Sequence, residues 1–197
     1  NGKVICMSAI AAARMVATDM SHDQVPYVSP SNKSLGDIGY TCLADGTKVV
    51  LDQEQANVVN AAGVGTALNL RGFVLWGNNT AAYPASIDTR DRWINVRRFF
   101  TWWTNRFINA YISRIDENVS RRMVETIVDD ENVVCNSYVA RGYVPGAKIS
   151  VDYTNSDFLT GKLVFTEQIG AYPPAESITN KVSCDVSYLQ AEFGGEA

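Results

Sequence analysis

The hydrophobic pattern of this 197-residue chain changes its period once, and that change limits the folds that the chain can adopt. Between Asp88 and Ile115, apolar side chains recur every three or four residues, as on one face of a long amphipathic helix. From Ala147 onward they recur every second residue, which is the spacing of a half-buried strand. Helices followed by alternating strands predict an α+β unit, with helices packed on a small antiparallel sheet.

Residues 85–197 are interpreted as one domain of this kind. Its first helix carries a stripe that includes Trp93, Phe100 and Trp103, and a second helix follows a break at residues 118–120. Three antiparallel strands are expected near residues 149–153, 163–165 and 182–188.

Residues 1–84 read as a separate region with a mixture of helices and strands. A mostly buried, alanine-rich helix is expected from Ser8, which would cap it, to Met20. Asp45 and Gly46 predict the turn of a hairpin, and a helix is expected from Asp52 to residue 62, with Gly63 beyond its end. The apolar run at residues 72–77 predicts a strand covered on both faces, at the edge of an α/β layer.

Composition favours a globular protein without a basic surface. Hydrophobic residues make up 46% and charged residues 19%, the net charge is −4, and no apolar run approaches the length needed to cross a bilayer. An acidic chain argues against general affinity for nucleic acid. The four cysteines, which form no C-x-x-C pair, are interpreted as reduced core residues. Because the chain starts at Asn1, inside what reads as a folded element, it is expected to be a fragment of a longer protein.

The residues that enzymes use are sparse. The only histidine is His22, and Ser8, although at a predicted helix start, lacks a G-x-S-x-G context. The acidic run at residues 129–131 reads as a solvated turn, and Gly63 with Gly65 reads as a helix end and not as a phosphate loop. We expect no catalytic residue, no metal site and no cofactor.

The region of the first long helix is strongly basic. Residues 90–122 contain eight arginines and three acids, a local charge of +5 that leaves −9 for the remainder of the chain. Such a helix could bind nucleic acid or a membrane surface, but its aromatic residues recur at core spacing. Two other interpretations stay open: association with acidic surfaces of other copies, or pairing within the domain itself.

The last predicted strand has no partner strand after it in the sequence. Residues 177–189 alternate well, so their open edge could be completed by a strand of a neighbouring chain. The alternative is an ordinary edge strand that Lys181 and Asp185 protect from further pairing.

Several short motifs together resemble a known family. They are Arg-Gly-Phe-Val-Leu-Trp-Gly-Asn-Asn-Thr at residues 71–80, Asn-Val-Arg-Arg at 95–98, Asn155 with Gly161, and Tyr-Pro-Pro-Ala-Glu-Ser-Ile at 172–178. The Pro-Ser-Asn loop within residues 26–32 and the Asn-Ala-Ala-Gly segment at 60–63 precede them. In order and spacing these motifs resemble those of contractile tail sheath proteins of bacteriophages.

The resemblance implies a mechanical, non-enzymatic protein. Residues 1–84 would end the family's subtilisin-like domain, residues 85–197 would be its C-terminal domain, and the N-terminal half would be absent. Sheath subunits of this family form stacked hexameric rings around a tail tube and contract to drive the tube through a cell envelope. The implied partners are other copies, the tail tube protein, and baseplate and tail terminator proteins, without membrane or nucleic acid. The implied location is the virion tail, assembled in the host bacterial cytoplasm.

The resemblance also implies two sets of inter-subunit residues. Terminal arms of sheath subunits add strands to the sheets of their neighbours, and charged contacts join rings to each other and to the tube. A degenerate hydrolase-like domain and an Arg-rich nucleic-acid-binding module remain the alternatives. The strand set is Val182, Cys184, Val186, Tyr188 and Leu189, and the electrostatic set is Arg97, Arg98, Arg121 and Arg122.

Overall fold

The computed structural model describes residues 3–194. Within that range the strands form three two-stranded antiparallel sheets, no two strands pair in parallel, and helices occur between the sheets. The α+β class is therefore confirmed. The helices are α1 (Met7–Met20), α2 (Gln53–Ala61), α3 (Thr89–Arg92), α4 (Ile94–Tyr111), α5 (Arg121–Ala140) and α6 (Ser187–Glu192). The strands are β1 (Thr41–Cys42), β2 (Lys48–Val49), β3 (Thr66–Asn69), β4 (Phe73–Trp76), β5 (Ala147–Val151) and β6 (Phe165–Ile169).

Helix α1 differs from its prediction in its start and its burial. The N-cap is Cys6, whose side chain makes no capping hydrogen bond, and Ser8 lies inside the helix. Thr18 is the helix residue that is fully buried, while Val16 and Met20 are exposed. The prediction of a mostly buried helix was wrong because no element among residues 3–194 covers the face that carries these side chains.

The short-range signals of the first region are confirmed. Strands β1 and β2 pair around a turn in which Gly46 has φ +86°, a backbone conformation that glycine adopts without strain. Asp52 and Gln55 form a reciprocal capping box at the start of α2. Gly63 follows the helix with φ +83°, and a Cβ there would lie 2.4 Å from the Tyr83 carbonyl oxygen, so glycine is required.

Strand β4 forms as predicted, but it is not covered on both faces. It pairs with β3 in an antiparallel register that runs from Thr66 opposite Trp76 to Asn69 opposite Phe73. On its other edge the Leu75 N–H donates to the Lys33 carbonyl oxygen over 3.0 Å. Leu75 is the one residue of the strand that is fully buried. The apolar run reflects a strand paired on both edges rather than a strand between two layers.

The predicted helix at residues 88–115 is interrupted. Asp88 caps α3, Trp93 has an extended backbone with ψ 127°, and α4 begins at Ile94. Tertiary hydrogen bonds force this break, since the Ile94 N–H donates to the Asn78 carbonyl oxygen and Trp93 bridges to Asn79. Ser120 caps α5 through the Met123 N–H over 3.1 Å. The acidic run at residues 129–131 lies inside α5, so the prediction of a solvated turn was wrong.

The main core joins α4 and α5 to the loop that follows α1. Tyr27 from that loop stacks on Tyr143, with ring centroids 4.3 Å apart. Aromatic side chains of α4 and α5 complete the cluster, and α5 also packs along β5. The loop from the first predicted region therefore packs into the second region. The fully buried members are Val25, Phe99, Trp103, Cys135, Tyr143 and Val144.

The third predicted strand of the C-terminal sheet does not form. Strands β5 and β6 pair from Ala147 opposite Ile169 to Val151 opposite Phe165. The segment that contains Val182, Cys184 and Val186 has no regular structure, and Tyr188 and Leu189 lie in α6. Alternating side chains stabilise a strand only when a neighbouring strand accepts its backbone hydrogen bonds, and this segment has no such neighbour within residues 3–194.

The prediction that all four cysteines lie in the core was right only for Cys135. Cys6 and Cys184 are exposed, and Cys42 is partly buried. Burial raises the pKa of the Cys135 thiol to about 11, so this side chain stays protonated and acts as a small core residue.

Candidate functional site

The residues of a serine hydrolase are not brought together. Ser8 and His22 lie at opposite ends of α1, about 20 Å apart at the usual rise of a helix. The His22 Nδ1 atom lies 2.7 Å from the Thr18 carbonyl oxygen and 3.0 Å from the Ser21 hydroxyl. The described residues also contain no group of three metal-binding side chains and no helix of the length and apolarity that crossing a membrane requires.

Most of the arginines in the basic region are paired within the chain. Of the eight, seven contact a carboxylate of the described residues. Arg98 is half-buried against Asp19 at the end of α1, and Arg97 contacts Asp91 over 3.1 Å. Arg121 contacts Glu125 one turn along α5 but is 90% exposed. Arg97 and Arg121 have their partners within residues 85–197, whereas Arg98 pairs with Asp19 of the first predicted region. Arg97, Arg121 and Arg122 remain accessible at the surface.

A buried cluster of charges lies between α4, α5 and β6. Arg106 of α4 donates two hydrogen bonds to the buried Glu131 of α5, one of them over 3.1 Å. Glu167 of β6 points toward the same helices, and its Oε1 atom is buried without a hydrogen-bond partner. Burial raises the pKa of Glu167, and the neighbouring charge of Glu131 raises it further. Glu167 lies beyond the strand predicted at residues 163–165, and the sequence pattern did not indicate this pairing.

Most of the motifs that carry the family resemblance meet around one open cleft. The cleft has a volume of about 780 Å³ and is lined from the loop after α1, from α2, from the end of β4 and from residues 172–177. In its floor the Asn78 side chain donates to Asn95 Oδ1 over 2.7 Å, and Asn95 donates to the Tyr27 carbonyl oxygen over 2.8 Å. These amides hold three distant segments together, so the motifs serve a structural junction.

The same junction binds the root of the C-terminal segment. Asn79 donates to Asn60 over 3.2 Å, and Arg92 donates to Asn79 over 3.1 Å. Arg92 also contacts the carboxylate of Glu176, which connects residues 172–177 to the end of α3. The individual asparagines in the motifs were visible in the sequence, but their mutual contacts depend on the tertiary fold.

Beyond this root the chain continues as an exposed arm, defined here as residues 177–194. Each of its side chains is exposed, including Val182 at 87%. Six of these exposed side chains are large and apolar. The large apolar side chains of the arm are Ile178, Val182, Val186, Tyr188, Leu189 and Phe193.

Strand β6 has an outer edge that is open in the described residues. Flanking hydrogen bonds join Gly170 to Gly146 over 2.8 Å and Asp152 to Val164 over 2.9 Å. Because hydrogen-bonded pairs alternate in an antiparallel ladder, the N–H and C=O groups of residues 165, 167 and 169 point away from β5. The corresponding edge of β5 is occupied at Ile149, which exchanges two hydrogen bonds with the side chain of Asn132. The open edge predicted from sequence was at residues 177–189, and the open edge of β6 was not predicted.

Comparisons with known proteins place this geometry in context. No protein-family model matches the chain. It is 26% identical over 201 residues to the tail sheath protein of Burkholderia phage BcepMu. This alignment covers 96% of this chain and 40% of that protein. It is 26% identical over 137 residues to the tail sheath protein of Escherichia phage P2, covering 68% of this chain and 34% of that protein. The chain thus spans less than half the length of these curated relatives.

Solved structures share the fold. A chain of the anti-feeding prophage baseplate, 6-fold symmetrised, matches 90% of this chain and 50% of its own length, with a TM-score of 0.75 and 21% identity. A chain of the anti-feeding prophage helical sheath in the contracted state matches 86% of this chain and 48% of its own length, with a TM-score of 0.66 and 21% identity. The predicted resemblance to contractile tail sheath proteins is confirmed, as is the prediction of a structural protein rather than an enzyme.

Proposed function

From this relationship to contractile tail sheath proteins, we propose that the chain is the C-terminal part of a sheath subunit. In this proposal the subunits polymerise in stacked hexameric rings around a tail tube and contract to drive the tube through a cell envelope. The observation that supports this proposal is that one chain contains both an exposed arm with alternating apolar residues and a sheet with an open edge at β6.

The proposed contact between subunits is strand addition. The arm of one copy would pair with β6 of another, so that the outward N–H and C=O groups of residues 165, 167 and 169 gain partners. Val182, Cys184, Val186 and Tyr188 would then line one face of the added strand, together with Phe165 and Ile169. Because donor and acceptor surfaces differ, each copy can give one arm and receive another, which builds a helical tube instead of a closed dimer.

Strand addition also suits a sheath that changes shape. Main-chain hydrogen bonds of an exchanged strand can persist while the bodies of the subunits rotate, whereas exposed ion pairs exchange at low cost. Arg97, Arg121 and Arg122 are the proposed electrostatic contacts between rings or with the tube, because they remain at the surface. Arg98 has a smaller role in this proposal, since its guanidinium is already paired with Asp19.

The proposed partners and location extend the same argument. The full-length protein would contact other copies of itself, the tail tube protein, and baseplate and tail terminator proteins. It would lie in the virion tail after assembly in the host bacterial cytoplasm. Structural neighbours from a helical sheath and from a baseplate support contacts of this type.

A charge on the apolar face of the arm tests the proposal. Val182→Asp in the full-length protein places a carboxylate where the added strand would be buried, so we expect no tubes by negative-stain electron microscopy. Ser183→Asp is the matched control, since it puts the same charge on the opposite face of the segment. Both positions are exposed in the isolated chain, so the melting temperature of the unassembled protein should stay unchanged. Tubes of normal abundance from the Val182→Asp protein would contradict strand addition by the arm.

A further inference from the structure

Arg92 lies outside the motifs described above but connects two of them, since it contacts Asn79 and also Glu176, which is 84 positions away. The Nη2 atom of Arg92 lies 2.7 and 2.6 Å from the two carboxylate oxygens of Glu176. The Arg92 Nε donates to Asn79 Oδ1 over 3.1 Å. The guanidinium also lies over two aromatic rings, 4.0 Å from the Trp93 centroid and 4.3 Å from the Tyr83 centroid. One arginine therefore contacts an amide, two rings and a carboxylate.

This pair differs from the other surface ion pairs of the molecule. The Arg92 side chain is 17% exposed, whereas Arg90 and Arg97 are more than half exposed. An arginine whose position is already set by a hydrogen bond and by aromatic rings loses little side-chain entropy when it binds a carboxylate. The Arg92 guanidinium is consequently a preformed receptor for Glu176.

Glu176 is also the last point at which the chain is held to the body. Strand β6 ends with the hydrogen bond from Gly170 to Gly146, and the next residues include Pro173 and Pro174, whose rings restrict the backbone. After Glu176 every described side chain is exposed. The segment between β6 and Glu176 is therefore held at both of its ends, and its two prolines restrict the backbone between them.

We propose that Arg92 and Glu176 form the anchor of the C-terminal arm and set the position and direction in which residues 177–194 leave the subunit. This inference rests on the proposed role of the arm in strand addition. Loss of the anchor frees the chain back to residue 171, which about doubles the length of the tether before Val182, although Pro173 and Pro174 still restrict part of it. Because effective concentration falls roughly as the −3/2 power of linker length, the arm reaches its neighbour about threefold less effectively.

Glu176→Ala in the full-length protein tests the anchor. We expect the protein concentration at which tubes form to rise about threefold or more. Glu176→Gln, which keeps one acceptor oxygen, should fall between Glu176→Ala and the unmodified protein. Glu117→Ala is the control, because Glu117 is 48% exposed against 47% for Glu176 and pairs with Arg114, which lies at the opposite end of α4 from Arg92. An unchanged threshold for Glu176→Ala overturns the anchor.

Two further measurements separate the possible failures. Tagged Glu176→Ala subunits should enter tubes of the unmodified protein, because their β6 edge still receives arms; their exclusion would mean that the substitution damages the fold and would overturn an anchoring role. Val182→Asp is measured in parallel. If Val182→Asp blocks assembly while Glu176→Ala does not raise the threshold, strand addition stands and the anchor fails. If neither variant changes assembly, the proposed function of the arm fails as well.

Discussion

At the scale of single residues, the cluster between α4, α5 and β6 contains, among the residues that the structure describes, the carboxylates of Glu131 and Glu167 and the guanidinium of Arg106. Glu131 is satisfied by Arg106, whereas the buried oxygen of Glu167 has no hydrogen-bond partner. Burial is the largest influence on the pKa of Glu167 and raises it. The indole N–H of Trp103 lowers this pKa, the charge of Glu131 raises it and the charge of Arg106 lowers it, so the net direction is upward. A carboxyl group in this position favours the protonated form, because its negative charge is poorly compensated.

Glu167→Gln should therefore change how stability depends on pH. The pKa of Glu167 is raised in the folded protein, so its contribution is present below the ordinary glutamate pKa and is lost as pH rises through the raised value. The glutamine variant should melt at a higher temperature than the unmodified protein at pH 7, and at the same temperature near pH 4. Melting curves at both values check this. Glu125→Gln, on the exposed face of α5, should show no such difference; a lower melting temperature for Glu167→Gln at pH 7 would contradict the assignment.

At the scale of elements, the end of a helix could be predicted from sequence when the residues that produce it are close along the chain. The ends of α2 were predictable because Asp52, Gln55 and Gly63 act within a few residues. The break at Trp93 was not predictable, since the hydrogen bond that causes it comes from Asn78 in another segment. The cleft and the Arg92–Glu176 contact were hidden for the same reason: their residues were visible, but their proximity is tertiary.

Asp52→Ala tests whether α2 depends on its capping box. The substitution leaves the Gln55 N–H without its acceptor and removes the reciprocal contact, so unfolding free energy should fall by about 1 kcal/mol. Denaturant titration of the protein measures this loss. Gln53→Ala, at the first helical position beside the cap, serves as the control and should leave the midpoint unchanged. Equal midpoints for Asp52→Ala and the unmodified protein would show that the helix is held by packing alone.

At the scale of the whole molecule, the most informative prediction from sequence was also the one that the single chain contradicts. The alternation of residues 182–188 is that of a strand, yet the isolated chain leaves this segment irregular and places Ser187–Glu192 in a helix. Under the proposal of strand addition, the pattern and the fold disagree because the strand that would pair with this segment belongs to another copy. On this account the missing third strand of the β5–β6 sheet and the unpaired arm are the two sides of one contact between copies.

A disulfide between the arm of one subunit and β6 of another tests this central claim most directly. In full-length protein with Cys6, Cys42 and Cys184 replaced by serine, Ser183→Cys is combined with Thr166→Cys or Gln168→Cys, whose side chains share the outward face of the proposed sheet. Oxidised tubes should yield ladders of covalently linked subunits on non-reducing gels. Unassembled protein, and tubes with Ser183→Cys alone, should not yield them. Intact tubes in which neither cysteine pair forms linked subunits would contradict the account.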